Sequence, residues 1–318
     1  MKQEYETLVA GAGVLQELTT RRESGWRDRL SGFLSLVRPL FFVLTPVNAA
    51  GAAVLALGGY PAFIKGLLGF IAVAFASCAV NVFNDYTDRE RDRDIWPSRP
   101  IPSGRVRPGE ALAVAAVSLS ISLAIAWLAF NPLAFSILLL AIVLGGFYSA
   151  YLRDRVGYLS LPPIVGLIYL GGWAAFSPET LFGSVLPWYL YLLGVVWQAA
   201  HIMIYYPLHV VPGSGSRPDA KAPPVLFFTP SSQTAVKIGV VFTGLTLLLS
   251  AALFRLASLH VFYLVLVVAA GAYALFKALR LNKDVKDRDK GLEAFMSLSV
   301  FRLVISAAIL LSVFLTQV

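Results

Sequence analysis

Nine long apolar stretches constrain the fold of this 318-residue chain more than any other feature of its sequence. Each stretch is close to the roughly 20 residues that an α-helix needs to cross a hydrocarbon layer of about 30 Å. None alternates apolar and polar residues with the period of two that a barrel strand requires. The sequence therefore predicts an all-α integral membrane protein with nine transmembrane helices. The stretches lie at 39–57, 66–84, 111–130, 133–151, 159–176, 186–206, 238–254, 259–276 and 295–315.

The composition supports this prediction and excludes several classes of protein. Hydrophobic residues make up 58% of the chain and charged residues 14%, whereas soluble domains are about 45–50% apolar and about 25% charged. An ordinary soluble enzyme and a disordered chain are both excluded. The single cysteine, Cys78, excludes an intrachain disulfide and a multi-cysteine metal site. Three histidines leave little room for a histidine-rich metal centre.

The distribution of basic residues predicts the orientation in the membrane. If the N-terminus is cytoplasmic, 23 of the 26 Lys and Arg residues lie on the cytoplasmic side, and the C-terminus lies outside. The positive net charge is then a signal of topology in a multi-pass cell-membrane protein, with lipids and not nucleic acid as its surroundings. We expect residues 1–33 to form a cytoplasmic tail and residues 34–318 the transmembrane domain. The long cytoplasmic loops, about 85–108 and 207–236, are where we expect the chemistry.

An acidic segment follows the second apolar stretch. Asn84, Asp88 and Asp92 are spaced by four residues, so they share one face if the helix continues beyond the membrane. Oxygen ligands without thiolate or imidazole favour a hard cation such as Mg²⁺. The other interpretation is a solvated helix end held by salt bridges, because arginines interleave with the acids. Those arginines are Arg89, Arg91 and Arg93.

The next segment, 96–105, contains three prolines and a glycine, so it must leave the helix and turn. We expect the turn to bring Arg99 and Arg105 back towards the carboxylates. The planar guanidinium of arginine suits phosphate, since it donates two hydrogen bonds at once. Carboxylates that hold a metal, followed by a rigid arginine loop, predict a site that clamps a diphosphate.

These two segments, NDYTDRERD and RPIPSGRV, resemble the first aspartate-rich motif of the UbiA superfamily of intramembrane prenyltransferases. The resemblance implies nine helices around a central cavity and Mg²⁺ bound by Asn84, Asp88 and Asp92, with Asp85 as an accessory residue. It also implies that Arg38 reaches the diphosphate, and that Tyr148 and Arg153 are the tyrosine and basic residue expected after the fourth span. The catalytic candidates are Asp88, Asp92, Arg99 and Arg153.

One expected feature of the family is missing. A second aspartate-rich motif, DxxxD, usually follows the sixth span and holds a second Mg²⁺, but Asp219 is the only carboxylate here between residues 197 and 221. In one interpretation other polar residues replace that metal site and bind substrate. In the other they belong to an interfacial belt and satisfy one another. The residues concerned are Tyr205, Tyr206, His209, Asp219 and Lys221, with Arg217 as a further positive charge.

Polar residues within the spans are further candidates, because hydrocarbon disfavours them. Gln198 and His201 are three residues apart and share a helix face, and their WQxxH segment is similar to the WQxPH of protohaem farnesyltransferases. Asn48, near Pro46, either faces the cavity and binds substrate or marks a kink. Arg302, in the last span, is expected to pair with Glu293 or with lipid headgroups.

The resemblance implies Mg²⁺-dependent transfer of a polyprenyl group from a donor such as geranylgeranyl or farnesyl diphosphate, with release of diphosphate. The acceptor is an aromatic quinone or porphyrin precursor or a glycerol-phosphate lipid, and no residue in the sequence selects among them. The alternative is a repurposed relative that binds or transports an isoprenoid lipid, or that cyclises or hydrolyses the diphosphate. The missing DxxxD motif is the reason to keep this alternative.

Overall fold

The predicted apolar stretches all form helices. The computed structural model describes residues 25–209 and 224–317. Eight helical segments in this part of the chain are long and apolar enough to cross a membrane, and the fifth predicted stretch is a shorter apolar helix. The helices are α1 Trp26–Val37, α2 Pro39–Leu57, α3 Phe63–Ile95, α4 Pro108–Ala129, α5 Pro132–Phe147, α6 Pro162–Ala174, α7 Val185–Tyr205, α8 Ser232–Leu256, α9 Val261–Lys283 and α10 Arg288–Gln317.

Prolines and capping side chains set where the helices begin. Four of the helices, α2, α4, α5 and α6, begin with proline, which suits this position because the first turn has no partner for its N–H groups. Asn131 caps α5 by accepting a hydrogen bond of 2.9 Å from the backbone N–H of Ala134. Consecutive helices in the described part of the chain pack as neighbours.

The helices α2 to α10 form a closed ring. Each packs on the next along the chain, and α10 returns to pack on α2. In addition α2 packs on α6, so α2 lies partly inside the ring. A core of buried aromatic and aliphatic side chains fills the space between α6, α7 and α10, including Trp173, Trp197 and Phe301. The remaining interior, bounded mainly by α2, α3, α5 and α6, is a cavity.

The close contact between α2 and α6 depends on Gly172. A Cβ atom at this position would overlap the backbone carbonyl group of Ala49 on α2. At the preceding residue, Gly171, an added Cβ would only meet the Ile137 side chain at 3.5 Å, an ordinary van der Waals contact. Gly172 is thus the residue that allows the two backbones to touch.

We expect Gly172→Ala to destabilise the protein by about 1–3 kcal/mol, because overpacking a tight backbone contact forces the helices apart. Gly171→Ala is the matched control and should leave stability nearly unchanged. The measurement is the thermal unfolding midpoint of both variants in the same detergent. Equal midpoints for the two variants would show that the α2–α6 contact does not depend on Gly172.

The first helix, α1, differs from the others. It exposes the apolar side chains of Trp26, Leu30 and Leu34, while an ion pair of 2.5 Å between Arg29 and Glu110 ties it to the start of α4. The chain then turns at Arg38, whose φ of 51° lies in the left-handed region that non-glycine residues seldom occupy. This turn sends α2 into the bundle and leaves Arg38 beside the end of α3.

Candidate active site

The acidic residues line one end of the cavity, as the spacing predicts. Helix α3 continues to Ile95 without a break, so Asn84, Asp88 and Asp92 share its inner face. The exposed fractions of Asp85, Asp88 and Asp92 are only 4%, 7% and 3%. Carboxylates buried to this degree require partners of opposite charge. We call these three carboxylates, with Asn84, the acidic ladder.

The Pro-rich loop after α3 supplies one of these partners. Arg99 places Nη1 2.5 Å from Oδ2 of Asp92 and 3.7 Å from Oδ1 of Asp85. Burial alone would lower the pKa of the Arg99 guanidinium, but the charges of Asp92 and Asp85 outweigh it and leave this pKa raised. Arg99 is therefore a permanent cation at the site, as expected.

Arg105 does not approach the carboxylates of the acidic ladder, so the prediction for this residue is wrong. The loop turns at Gly104, with a φ of 76°, and Arg105 donates instead to the backbone oxygen of Ser98 at 2.5 Å and to the hydroxyl of Ser103 at 3.1 Å. It stabilises the loop from its outer side and is not among the residues that line the cavity.

A widened helical turn positions a second arginine. The last turn after α5, Tyr148–Leu152, is a π-helix, a local insertion that occurs frequently at functional sites. It leads directly into Arg153, which is 4% exposed and places Nη1 2.5 Å from Oδ1 of Asp88. Tyr148 is buried and lines the cavity, and Ser149 accepts a hydrogen bond of 3.3 Å from the amide of Asn84.

Two further arginines complete the cluster. Arg38, which the resemblance assigns to the diphosphate, forms an ion pair with Asp85. Arg91, which was assigned only to a solvated helix end, places Nη2 2.5 Å from Oδ1 of Asp88 and lines the cavity. Its neighbour Arg93 instead pairs with exposed Glu90. Arg91 and Arg93 therefore both form ion pairs with acids three residues before them, Arg91 at the cavity and Arg93 on the exposed side of the helix.

Helices α7 and α10 also line the cavity. Tyr205 stacks in parallel on Trp96 with ring centroids 6.4 Å apart and contacts Phe295 at 4.7 Å. Gln198 and His201 both line the cavity below it, as their spacing predicts. The other candidates for a replacement of the second metal site, Asp219, Lys221 and Arg217, lie outside the described residues, as does the His209 side chain.

Two predictions for polar residues within the spans are wrong. Asn48 is fully buried and does not line the cavity. Its amide donates to the Leu44 carbonyl at 2.6 Å, and its carbonyl accepts from Tyr169 and Ser306 at 3.1 and 2.7 Å. Asn48 thus joins three helices through these hydrogen bonds.

Glu293 pairs with Lys277 at 2.8 Å, so Arg302 does not have the partner that was expected for it. Arg302 lies instead inside the bundle and lines the cavity.

The cavity has a volume of about 970 Å³ and runs along α3 from the acidic ladder to Tyr60 and Phe63 at the opposite end. Between these ends its lining on α3 is almost entirely apolar or small, and Gly66, Phe70 and Val73 are representative. The charged end and the apolar shaft together fit an amphiphile that has an anionic head and a long hydrocarbon tail. A helical membrane protein that binds such an amphiphile is the class that the fold and the site define.

Comparisons with known proteins agree with this class. Residues 43–301 match the model of the UbiA prenyltransferase family. A protoheme IX farnesyltransferase from Paenarthrobacter aurescens is 27% identical over 85% of this chain and 83% of its own length. A 4-hydroxybenzoate octaprenyltransferase from Sodalis glossinidius is 28% identical over 90% of this chain and 92% of its own length. The chain belongs to the UbiA prenyltransferase family, and its enzyme class is that of a prenyltransferase.

Solved structures show the same fold. The apo structure of a UbiA homolog from Aeropyrum pernix matches 85% of this chain and 97% of its own, with a TM-score of 0.67 and 20% identity. A UbiA homolog from Archaeoglobus fulgidus bound to GPP and Mg²⁺ matches 88% of this chain and 99% of its own, with a TM-score of 0.58 and 19% identity. The all-α architecture around a central cavity is therefore that of the family.

Proposed function

We propose that this protein transfers a prenyl group from an isoprenyl diphosphate, bound at the acidic ladder, to an acceptor in the same cavity, and releases diphosphate. The observation that carries the proposal is that one cavity has a charged end and an apolar shaft. Four arginines and three carboxylates surround one end of a cavity whose shaft is apolar and as long as the bundle. We further propose that this end faces the cytoplasm, because most basic residues lie on its side of the chain.

The acidic ladder also fits a divalent metal. Mg²⁺ is usually bound by one or two protein carboxylates, with water and substrate phosphate completing its shell. Among the described residues no group of three or more acidic, histidine or cysteine side chains is arranged to hold a metal ion by itself. We propose that Asp88, Asp92 and Asn84 hold Mg²⁺, with Asp85 beside them. When bound, the metal neutralises charge that develops on the leaving diphosphate.

The arginines provide the rest of the electrostatic stabilisation. In the described site each carboxylate is paired with at least one guanidinium, on Arg38, Arg91, Arg99 or Arg153. A diphosphate that enters between them offers these guanidiniums new acceptors. The same groups then lie where negative charge grows as the allylic C–O bond breaks, in a site from which water is largely excluded. Fixed cations of this kind lower the barrier to ionisation.

The apolar shaft does two things in this mechanism. It binds the hydrocarbon tail, and its lining keeps water from the allylic cation until the electron-rich acceptor forms the new bond. Tyr148, Tyr205 and Phe295 surround the region between the charged end and the shaft. The proton that the acceptor loses after bond formation leaves to a nearby base or to water at the charged end.

Turnover of labelled donors tests the proposal against its alternatives. Purified protein in detergent is given labelled farnesyl or geranylgeranyl diphosphate, with Mg²⁺ or with a chelator, and with aromatic, porphyrin or glycerol-phosphate acceptors. Mg²⁺-dependent formation of a prenylated acceptor is the expected result. Diphosphate release without any prenylated product would indicate a hydrolase or cyclase. Tight binding of the donor without diphosphate release would indicate a carrier, the alternative that the missing DxxxD motif suggests.

The length of the shaft leads to a prediction about the donor chain. Val73 lines the cavity on α3 about midway between Phe63 and Asn84, so Val73→Trp should block the far part of the shaft. We expect the variant to use geranylgeranyl diphosphate at least about tenfold less efficiently, since a tail that no longer fits loses its burial. Geranyl diphosphate, which needs less of the shaft, should be nearly unaffected.

Val117→Trp is the matched control, because Val117 is 57% exposed on the outer face of α4. Competition between labelled donors of two lengths gives the ratio of their kcat/KM values. An unchanged ratio in Val73→Trp would place the tail elsewhere.

A further inference from the structure

Arg302 is a buried cation whose charge the described residues do not neutralise. It lies on α10, is 7% exposed and lines the cavity. Neither Nε nor Nη2 has a hydrogen-bond partner among the described residues, and it forms no ion pair with a described carboxylate. A charged side chain inside a membrane-spanning bundle is costly unless it has a partner. Arg302 therefore differs from the four arginines that surround the acidic ladder, each of which has a carboxylate partner.

The guanidinium is held in place by aromatic rings. Its carbon atom lies 4.4 Å from the ring centroid of Trp197 and 6.0 Å from that of Tyr169. Trp197 is itself fixed, because its indole N–H donates to the Leu298 carbonyl at 2.8 Å. Cation–π contacts orient the guanidinium and offset part of the burial cost, but they leave its N–H donors at Nε and Nη2 without acceptors.

Some of the other polar side chains in this part of the bundle already form hydrogen bonds with described residues, and others do not. The Ser299 hydroxyl donates to the Phe295 carbonyl at 3.1 Å. Because its proton is used there, its oxygen accepts the hydrogen bond from Nε2 of His201, also at 3.1 Å. Ser306 is likewise bound to Asn48. Gln198 lines the cavity, and its side-chain amide makes no hydrogen bond with a described residue. Arg302 and Gln198 thus both line the cavity and carry donors that no described residue uses.

The depth of this pair separates it from the diphosphate site. Arg302 is seven residues from Phe295 on α10, and Gln198 is seven residues from Tyr205 on α7. Seven residues of α-helix span about 10 Å. Since Tyr205 and Phe295 contact each other and Tyr205 stacks on Trp96, Arg302 lies about two helical turns deeper than the loop that carries Arg99. The donor's tail is uncharged, so the donor brings no anion to this depth.

We infer that Arg302, with Gln198, binds an oxyanion of the acceptor, a carboxylate or a phosphate, and so holds the acceptor with its reactive end towards the diphosphate. The planar guanidinium is suited to either anion through paired hydrogen bonds. The inference rests on the proposed function for the identity of the ligand as acceptor. It selects, among the acceptors that the architecture allows, those that carry a negative charge about 10 Å from the bond that breaks.

Binding of acceptor probes in the absence of donor tests this inference. The probes are 4-hydroxybenzoate, protohaem and a short-chain glycerol-phosphate lipid, each compared with its neutral ester. We expect at least one of the anions to bind the wild type about tenfold or more tightly than its ester. Arg302→Met should abolish that preference, and Arg302→Lys should retain only part of it, since lysine keeps the charge without the planar fork. The probe that responds identifies the source of the oxyanion.

Arg255→Met is the matched control, because Arg255 also lies over an aromatic ring, that of Phe254 at 5.6 Å, but is exposed at the far end of α8. A cooperative thermal unfolding transition of Arg302→Met in the same detergent shows that the variant is folded. The inference is overturned if no anion is preferred to its ester or if Arg302→Met keeps the preference. Because donor is absent from these measurements, a failure of prenyl transfer leaves their result unaffected.

Discussion

Replacing Asp88 by asparagine is expected to lower kcat for diphosphate release by at least about 10²-fold. The substitution preserves the shape of the side chain and removes its charge, so a metal ligand is weakened where charge develops on the leaving group, and groups that act there typically contribute about 10²–10³-fold. Oδ1 of Asp88 also lies 2.5 Å from Nη2 of Arg91 and 2.5 Å from Nη1 of Arg153. Among the described ion pairs, both arginines would then keep only the longer contacts to Asp154, at 3.3 and 3.2 Å.

The control for this experiment is Glu90→Gln. Glu90 is two residues away on the same helix, but it is 63% exposed and pairs with Arg93 and Arg89 on the outer face. We expect its loss to change kcat by no more than a factor of about two or three, because surface substitutions away from special features have small effects. The measurement is Mg²⁺-dependent release of labelled diphosphate. Similar rates for Asp88→Asn and the wild type would remove the acidic ladder from the mechanism.

The second large effect is expected for Arg99→Gln, which should lower kcat/KM for the diphosphate donor by about 10²-fold. Arg99 is a charged donor beside two carboxylates of the acidic ladder, and a buried charge-assisted hydrogen bond contributes about 1.5–3 kcal/mol. The raised pKa of its guanidinium keeps it charged at any pH at which the protein is active. The loss should therefore be the same across the accessible pH range.

Arg105→Gln provides the comparison within the same loop. Its side chain faces away from the cavity and bonds to Ser98 and Ser103, so we expect a change of less than about threefold. Steady-state kinetics with the donor varied at fixed acceptor would separate the two variants. Equal losses in both would mean that the loop acts as a unit and that Arg99 has no direct part in binding phosphate.

The fold was predictable because its signal is local. Nine apolar stretches of the right length specify nine helices, and hydropathy alone finds them. The fifth stretch, 159–176, is the partial exception, since its α-helix begins only at Pro162 and has 13 residues. Hydropathy measures side chains, whereas the start of this helix is set by Pro162 and Pro163, which lack the N–H groups that a longer helix would need.

The acidic ladder was predictable for the same reason, because a spacing of four residues on one helix places side chains on one face. The choice between Arg99 and Arg105 was not, since it depends on how the loop turns at Gly104. Arg91 was misassigned because Asp88–Arg91 and Glu90–Arg93 have the same spacing. Only the position relative to the ladder shows that the first pair is buried and the second exposed.

Residues joined across the bundle were beyond sequence reasoning. Asn48 meets Tyr169 and Ser306, which lie 121 and 258 residues further along the chain, and no periodicity connects positions so far apart. Arg302 is a similar case, because its environment is made by Trp197 and Tyr169 on other helices. The signal that could have identified it is simply a charge within a span that is otherwise apolar.

The pairing of every described ladder carboxylate with an arginine has a consequence for competition at the membrane surface. Phospholipid headgroups are far more abundant there than any isoprenyl diphosphate, and each carries a phosphate. A singly charged phosphodiester cannot replace several ion pairs at once, so it gains little by entering the site. A diphosphate accompanied by a metal can replace them together. Under the proposed function, we therefore expect the ion pairs of the described site to favour binding of a metal-bound diphosphate over the phosphodiesters of the surrounding lipids.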